Sequence, residues 1–401
     1  VSPETSRAVA LAGVKSPQKA ARLLRAVMDR AGVAVSVDGA GSAGGLEALL
    51  GAADPRLTSA EQEALWLARA AGSAPIAAFA RLFVFGETLA RADARALFAD
   101  DLPAAEATGL LRTSRTGVAA TLSLSLHEGL PVFADAVASA RASEHVPGPT
   151  RATLVLDGAL PPSPVKSALE LGTGPGYLAL RLCARARAVT ATDVSPRALA
   201  FAALNAAVHG VRNLTLVRSD RFAALAQPRP RRFDLVVGNL PFVVAPTQAY
   251  VFRDSGLAED GFVASVVSGV GRHLQPGGLA LLLGQWVHKE DEPEDQRLAP
   301  WFVAAGCDAL VLRLDAEPAD VYAARWSAGP RGDLDRAARA SLLERWLLHL
   351  RRARIRGVST GLFVLRRRPG RRHVMSIDDV DTAAPPPRWP EIATRLAALD
   401  G

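Results

Sequence analysis

Lysine is nearly missing from this chain of 401 residues. It occurs only at Lys15, Lys19, Lys166 and Lys289, so the formal net charge of +7 is carried almost wholly by arginine. Such a surplus permits contact with nucleic-acid phosphates but does not establish it. Cysteine is equally scarce: Cys183 and Cys307 stand far apart in apolar surroundings, with no Cys-x-x-Cys or Cys/His spacing. That excludes a disulfide framework and a cysteine-built zinc site, and buried thiols in a reducing compartment are expected. No apolar run approaches the roughly 20 residues needed to cross a bilayer. The first residues lack the charged-then-apolar pattern of an export signal, and a cytoplasmic protein without membrane contact is expected.

What is present is a folding composition. Hydrophobic residues make up 49% and charged ones 22%, the balance of a globular chain, and the length suits two or three domains. Three parts are expected: a helical, winged-helix-like substrate-docking module over 1–136, an α/β domain over 137–375 and a tail over 376–401. In the first part, Ser16-Pro17 opens an amphipathic run through Leu24, Val27 and Met28, with proline in the first helical turn. Alternation at Val118, Ala120, Leu122 and Leu124 predicts a hairpin after the helices. The would-be recognition stretch 102–111 is acidic and apolar, unlike a helix that reads DNA bases. Docking of a substrate or of the other domain fits it better.

The chain is organised around Ser167-Ala-Leu-Glu170-Leu-Gly172-Thr173-Gly174-Pro-Gly176, a buried strand ending in a carboxylate and then glycine at alternate positions. The glycines let the backbone turn sharply and approach a ligand without a Cβ in the way. Their spacing departs from the Gly-x-Gly-x-x-Gly that seats a pyrophosphate, and Glu170 beside the loop suits a cationic or amine-bearing ligand. A second apolar run ends at Asp193, where a nucleoside-binding α/β fold places the carboxylate that grips ribose hydroxyls. A third leads into Ser219-Asp220-Arg221-Phe222, and a fourth into Asn239-Leu240-Pro241-Phe242. Polar groups at successive strand ends are where open α/β sheets bind ligands.

With those four motifs and Gly277-Gly278 before a fifth strand, the sequence resembles the class I S-adenosylmethionine-dependent methyltransferases. Within them it is most similar to the small-domain branch of release-factor glutamine and small-subunit rRNA guanine enzymes, over roughly residues 145–315. The resemblance implies a Rossmann-like seven-stranded sheet and S-adenosyl-L-methionine as cofactor. It places Glu170, Gly172, Thr173, Gly174, Gly176, Asp193 and Val194 around the cofactor, with Ser219, Asp220 and Arg221 near the adenine amino group and Phe222 close to the ring. Arg151, in a segment that closes over the cofactor in related enzymes, would be the counter-charge for the methionine carboxylate.

The resemblance also puts Asn239 at the reacting centre, in contact with the cofactor as well as the acceptor. An amide or aromatic amine is a poor nucleophile because its lone pair is delocalised. A site that accepts both N–H hydrogens, on the Asn239 side-chain oxygen and the Leu240 carbonyl, favours a pyramidal nitrogen. Pro241 biases Leu240 to an extended conformation, and Phe242 offers a face to a planar group. Catalysis then rests on orientation and preorganised acceptors, with in-line transfer of the methyl group. Related amide and guanine enzymes have proline where this chain has Leu240. The acceptor therefore stays open among a polypeptide, an rRNA base and a small natural product, with a non-catalytic, cofactor-dependent RNA-binding protein as the alternative to an enzyme. Trp286, at another strand end, is expected to wall the substrate pocket. The arginines between 351 and 372 would have to share a face with Asn239 for an RNA substrate.

Overall fold

In the computed structural model of the chain, the described residues are 16–35, 45–51, 59–72, 74–136, 143–246, 253, 257–327, 335–368, 370, 373–381 and 383–400. The helix Pro17–Ala31 starts as its sequence dictates. Ser16 accepts from the Lys19 N–H, Pro17 takes the first turn, and Gly32 ends the helix at φ +70°. Its buried stripe of Ala20, Leu24, Val27 and Met28 packs with Phe79, Phe83 and Phe98. Two antiparallel hairpins follow. The first joins β1 (Leu111–Thr113) to β2 (Val118–Ala120), the second β3 (Leu122–His127) to β4 (Leu130–Asp135). This N-terminal core does not close on itself: it includes Ala198, Phe201, Leu204 and Val208 of the helix Pro196–Val208, which belongs to the sheet domain.

The sheet domain holds β5 (Val165–Leu171), β6 (Ala186–Asp193), β7 (Leu214–Arg218), β8 (Phe233–Asn239), β9 (Leu274–Lys289), β10 (Asp308–Pro318), β11 (Ile355–Arg366) and β12 (Met375–Asp379). They form one sheet in the order β12-β10-β11-β9-β8-β5-β6-β7. From β7 to β9 neighbours are parallel, and β11 is antiparallel to both β9 and β10. The seven expected strands are β5 to β11, and β12 extends the edge by pairing parallel to β10. Its residues straddle the boundary of the expected C-terminal tail.

The chain lays β6 and β7 on one side of β5 and then returns to place β8 on the other. That reversal leaves a crevice at the C-terminal ends of β5 and its neighbours. The register aligns these ends, because Leu171 lies opposite both Thr192 and Gly238. Glu170, Asp193 and Asn239 therefore emerge side by side. Between β10 and β11, the helices Ala319–Ser327 and Arg336–Arg352 build a small lobe on their own core of Val243, Val244, Tyr322, Trp346 and Leu350.

Candidate functional site

The glycine loop is set by backbone geometry. Gly172, Gly174 and Gly176 all have positive φ, at 69°, 53° and 93°. A Cβ on Gly176 would lie 3.0 Å from the Cα of Ala202, so the loop and the helix Pro196–Val208 touch backbone to backbone. Glu170 is 2% exposed and its Oε2 receives the Thr173 hydroxyl at 2.6 Å. Burial pushes its carboxyl up to about 8. On β6, Asp193 takes the Gly174 N–H on Oδ2 at 3.0 Å and the Ser195 N–H on Oδ1 at 2.8 Å. Burial raises its pKa while those N–H groups oppose the rise. Each oxygen keeps a free lone pair for a further donor.

Glu170, Gly172, Thr173, Gly174 and Asp193 line one cavity of about 950 Å³ that runs from the glycine loop to the lobe between β10 and β11, at the upper end of ligand-pocket sizes; Gly176, expected at the cofactor, packs on Ala202 instead and does not line it. Arg151, exposed at the start of the helix Arg151–Ala159, lies on its wall with Val194, Ser219, Asp220 and Arg221. The Asp220 carboxylate is gripped by its neighbour, Arg221, through Nε and Nη2, each at 3.1 Å. Arg221 in turn donates to Ser265 Oγ at 3.0 Å. Phe222 goes elsewhere: it stacks on His273 at 4.4 Å and 7° and does not line the cavity. The turn that carries it, with Arg221 at φ +48°, directs the ring into the core beside Gly269.

Asn239, Leu240, Pro241 and Phe242 all border the cavity. The Asn239 amide is oriented by Thr153, whose Oγ1 receives its Nδ2 at 3.3 Å. Its Oδ1 is buried with no hydrogen-bond partner among the described residues. Leu240 is pinned by its N–H to the Leu283 carbonyl at 3.1 Å.

Trp286 does not wall the pocket. It is fully buried on the opposite face of the sheet, edge-on to Phe363 at 5.3 Å, with its indole N–H on Glu294 Oε1 at 2.5 Å. Side chains alternate across a strand, so the preceding residue, Gln285, is the one that reaches the cavity. Gln285 starts a relay that sequence reasoning missed. Its Nε2 donates to Thr360 Oγ1 at 2.9 Å, its Oε1 accepts from Tyr322 O–H at 2.7 Å, and that phenol oxygen accepts the Val244 N–H at 2.9 Å. Trp326, also on the wall, lies under the guanidinium groups of Arg325 and Arg253, at 5.3 and 5.8 Å from its ring.

Outside the cavity, His209 and the arginines between 351 and 372 are placed as follows. His209, at a helix end that favours a cation, is neutral: burial pushes it down to about 4, and its Nε2 donates to the Pro131 carbonyl at 2.7 Å. Arg366 and Arg368 converge on the fully buried Asp308, at 3.6 and 2.6 Å, and both also pair with Asp400. Arg367 donates to the Leu274 carbonyl at 2.7 Å, and Arg354 pairs with Asp291. Arg351, Arg352 and Arg356 are exposed, and Arg371 and Arg372 lie outside the described residues. Among the described residues no helix is long and apolar enough to cross a membrane.

Residues 150–283 match the family model described as methyltransferase small domain. The chain is 41% identical over 133 residues to the release factor glutamine methyltransferase of Cereibacter sphaeroides, covering 30% of this chain and 46% of that protein. Against the release factor glutamine methyltransferase of Salmonella typhimurium it is 34% identical over 162 residues, 36% of this chain and 56% of the relative. Against the ribosomal protein L11 methyltransferase of Bradyrhizobium diazoefficiens it is 33% identical over 145 residues, 35% of this chain and 43% of the relative. The chain thus spans about half the length of the curated relatives it matches. The matched segment contains the helix that bears Thr153, the glycine loop, Asp193, the 219–222 turn and Asn239 to Phe242. It is this segment, residues 150–283, that matches the methyltransferase small domain family, in keeping with the class I, Rossmann-like branch that its motifs resemble.

Proposed function

We propose that the chain binds S-adenosyl-L-methionine and methylates an amide or amine nitrogen of a polypeptide. The chemistry of the donor set fits that cofactor part by part. Glu170 would hold a cationic amino acid group, Asp193 the ribose hydroxyls, and Arg151 would offset a carboxylate. Val194, Ser219, Asp220 and Arg221 would flank the base. When bound, the cofactor supplies an electrophilic methyl group on a sulfonium; every other requirement falls on this chain's own residues.

The observation that carries the nitrogen assignment is the Asn239 side chain. Its N–H is spent on Thr153, which leaves a buried oxygen facing no donor. An unmet buried acceptor costs about 1–3 kcal/mol, and an N–H of the acceptor substrate would remove that cost. Leu240, held extended before Pro241, offers its carbonyl as the second acceptor. Together they orient a planar nitrogen and localise its lone pair, which is catalysis by positioning and preorganised dipoles. Phe242 supplies the flat face beside them. A polypeptide acceptor is supported by the relatives, whose names specify a release factor and a ribosomal protein.

The test is transfer of a labelled methyl group from S-adenosylmethionine into fractionated cell extract, with native chain and Asn239→Ala compared. Label in the protein fraction that requires Asn239 is the expected result. Label in the RNA or small-molecule fraction overturns the polypeptide assignment, and label that survives the substitution removes Asn239 from the chemistry.

A further inference from the structure

Asn205 sits in the middle of the helix Pro196–Val208 with no exposed surface, and it touches two parts of the molecule at once. Its Nδ2 donates one hydrogen to the Phe133 carbonyl at 2.8 Å and the other to the Pro175 carbonyl at 2.8 Å, while its Oδ1 accepts the Phe133 N–H at 2.9 Å. Pro175 is inside the glycine loop and borders the cavity. Phe133 is on β4 of the N-terminal module, opposite Leu124 of β3. In an antiparallel pair, alternate residues turn both backbone groups away from the partner strand, and Phe133 turns both of its groups to Asn205. The side-chain amide thus completes the edge of the N-terminal hairpin as a neighbouring strand would, and spends its remaining hydrogen on the cofactor loop.

We propose that Asn205 is a positioning residue that couples the glycine loop to the N-terminal hairpin, so that docking of the N-terminal module preorganises the loop for the cofactor. Two further ties join the same hairpin to the same helix: Arg197 with Asp135, and His209 with the Pro131 carbonyl. Neither of these reaches the loop. Asp135 also accepts the Val146 N–H at 2.9 Å, which holds the segment leading to Thr150 on the cavity's outer wall. The hairpin therefore braces the site from two sides while no residue of β4 lines it. Such coupling is reciprocal: a ligand that orders the loop must also stabilise what the loop is tied to.

The proposal rests on the cofactor reading above, and its test separates the two. S-adenosylhomocysteine is titrated into the wild-type chain by calorimetry, and backbone hydrogen exchange is followed with and without it. Slower exchange over residues 130–135, together with residues 172–177, is expected. Protection of the loop with unchanged exchange at 130–135 overturns the coupling. Absence of binding overturns the cofactor reading itself, and the coupling with it. The same titration is then made on Asn205→Ser and on the double variant Arg197→Met with His209→Phe, which loosens the hairpin without touching Pro175. Asn205→Ser should bind about tenfold more weakly or worse, within the range of site-to-site couplings. It should do so at a melting temperature no lower than that of the double variant, which keeps the Asn205 bonds and should lose affinity by a smaller factor, without reaching wild type. Equal affinities at equal stability make Asn205 structural only. If Asn205→Ser does not fold, the wild-type exchange result decides.

Discussion

The two ends of the cavity are assembled differently. The end toward the glycine loop is made mainly by residues at or just past the tips of β5, β6 and β7, inside the segment 150–283 that matches the family, with the stretch 144–149 on its outer wall. The end beyond Asn239 borrows Leu314, Arg325, Trp326 and Thr360 from outside that segment, and its bracing residue, Tyr322, comes from the lobe between β10 and β11. Under the proposed function, the acceptor would meet residues that lie outside the family match.

That contrast can be broken by experiment. The largest effect belongs to Asn239→Ala, which should cut methyl transfer by about a hundredfold or more, as loss of one preorganised polar group does. Binding of S-adenosylhomocysteine by calorimetry should be nearly unaffected; an equal loss in both assays would erase the distinction between the ends. Asp193→Ala should do the reverse, weakening that binding by roughly 2–3 kcal/mol through lost charge-assisted hydrogen bonds, with the rate at saturating cofactor largely kept.

Glu170 sharpens the comparison through pH. Its folded pKa is raised from 4.5 to about 8 by burial, so the empty protein holds a proton there at neutral pH. The sign follows from linkage: the stability contributed is full below 4.5 and is lost as pH rises through about 8. A cationic ligand favours the carboxylate, so binding should release a proton and tighten as pH rises toward 8. Calorimetry in two buffers of different ionisation enthalpy measures that proton, and Glu170→Gln should abolish it.

Tyr322→Phe tests the far end. It leaves the Val244 N–H and the Gln285 oxygen without their shared partner, and transfer should fall by about tenfold with unchanged cofactor affinity, from a deficit of about 1–3 kcal/mol in the loop after Asn239. The smallest effect on the site is expected of Trp286→Phe. It should cost roughly 1–3 kcal/mol of stability in denaturant unfolding and leave both binding and transfer alone, because the ring faces away from the cavity.

Legibility in the sequence follows the same divide. Glu170, the alternate glycines, Asp193 and Asn239 could be placed because each is local to a strand end, where apolar runs and glycine spacing reveal both the strand and its exit. Phe222 misled because the turn through Arg221, at φ +48°, sends its ring into the core, and Trp286 for a reason of sheet geometry. Near the end of a strand a shift of one residue exchanges the two faces of the sheet, and a tryptophan attracts attention that its neighbour Gln285 does not. Tyr322 and Thr360 carried no signal at all, since nothing in a tyrosine inside a short helix tells which backbone N–H its oxygen will meet across the fold. The arginines were visible as charge but not as pairs: Arg366 and Arg368 close on Asp308, which precedes them by a whole lobe.

Asn205 reads the backbone of Phe133 and not its ring. A contact of that kind is indifferent to what side chain the partner strand carries, provided the strand offers a free edge in the right place. The joint thus has two kinds of contact: the amide pairing would survive a new side chain at 133, whereas the apolar packing of Ala198, Phe201, Leu204 and Val208 would have to be matched by any other module set on the helix Pro196–Val208.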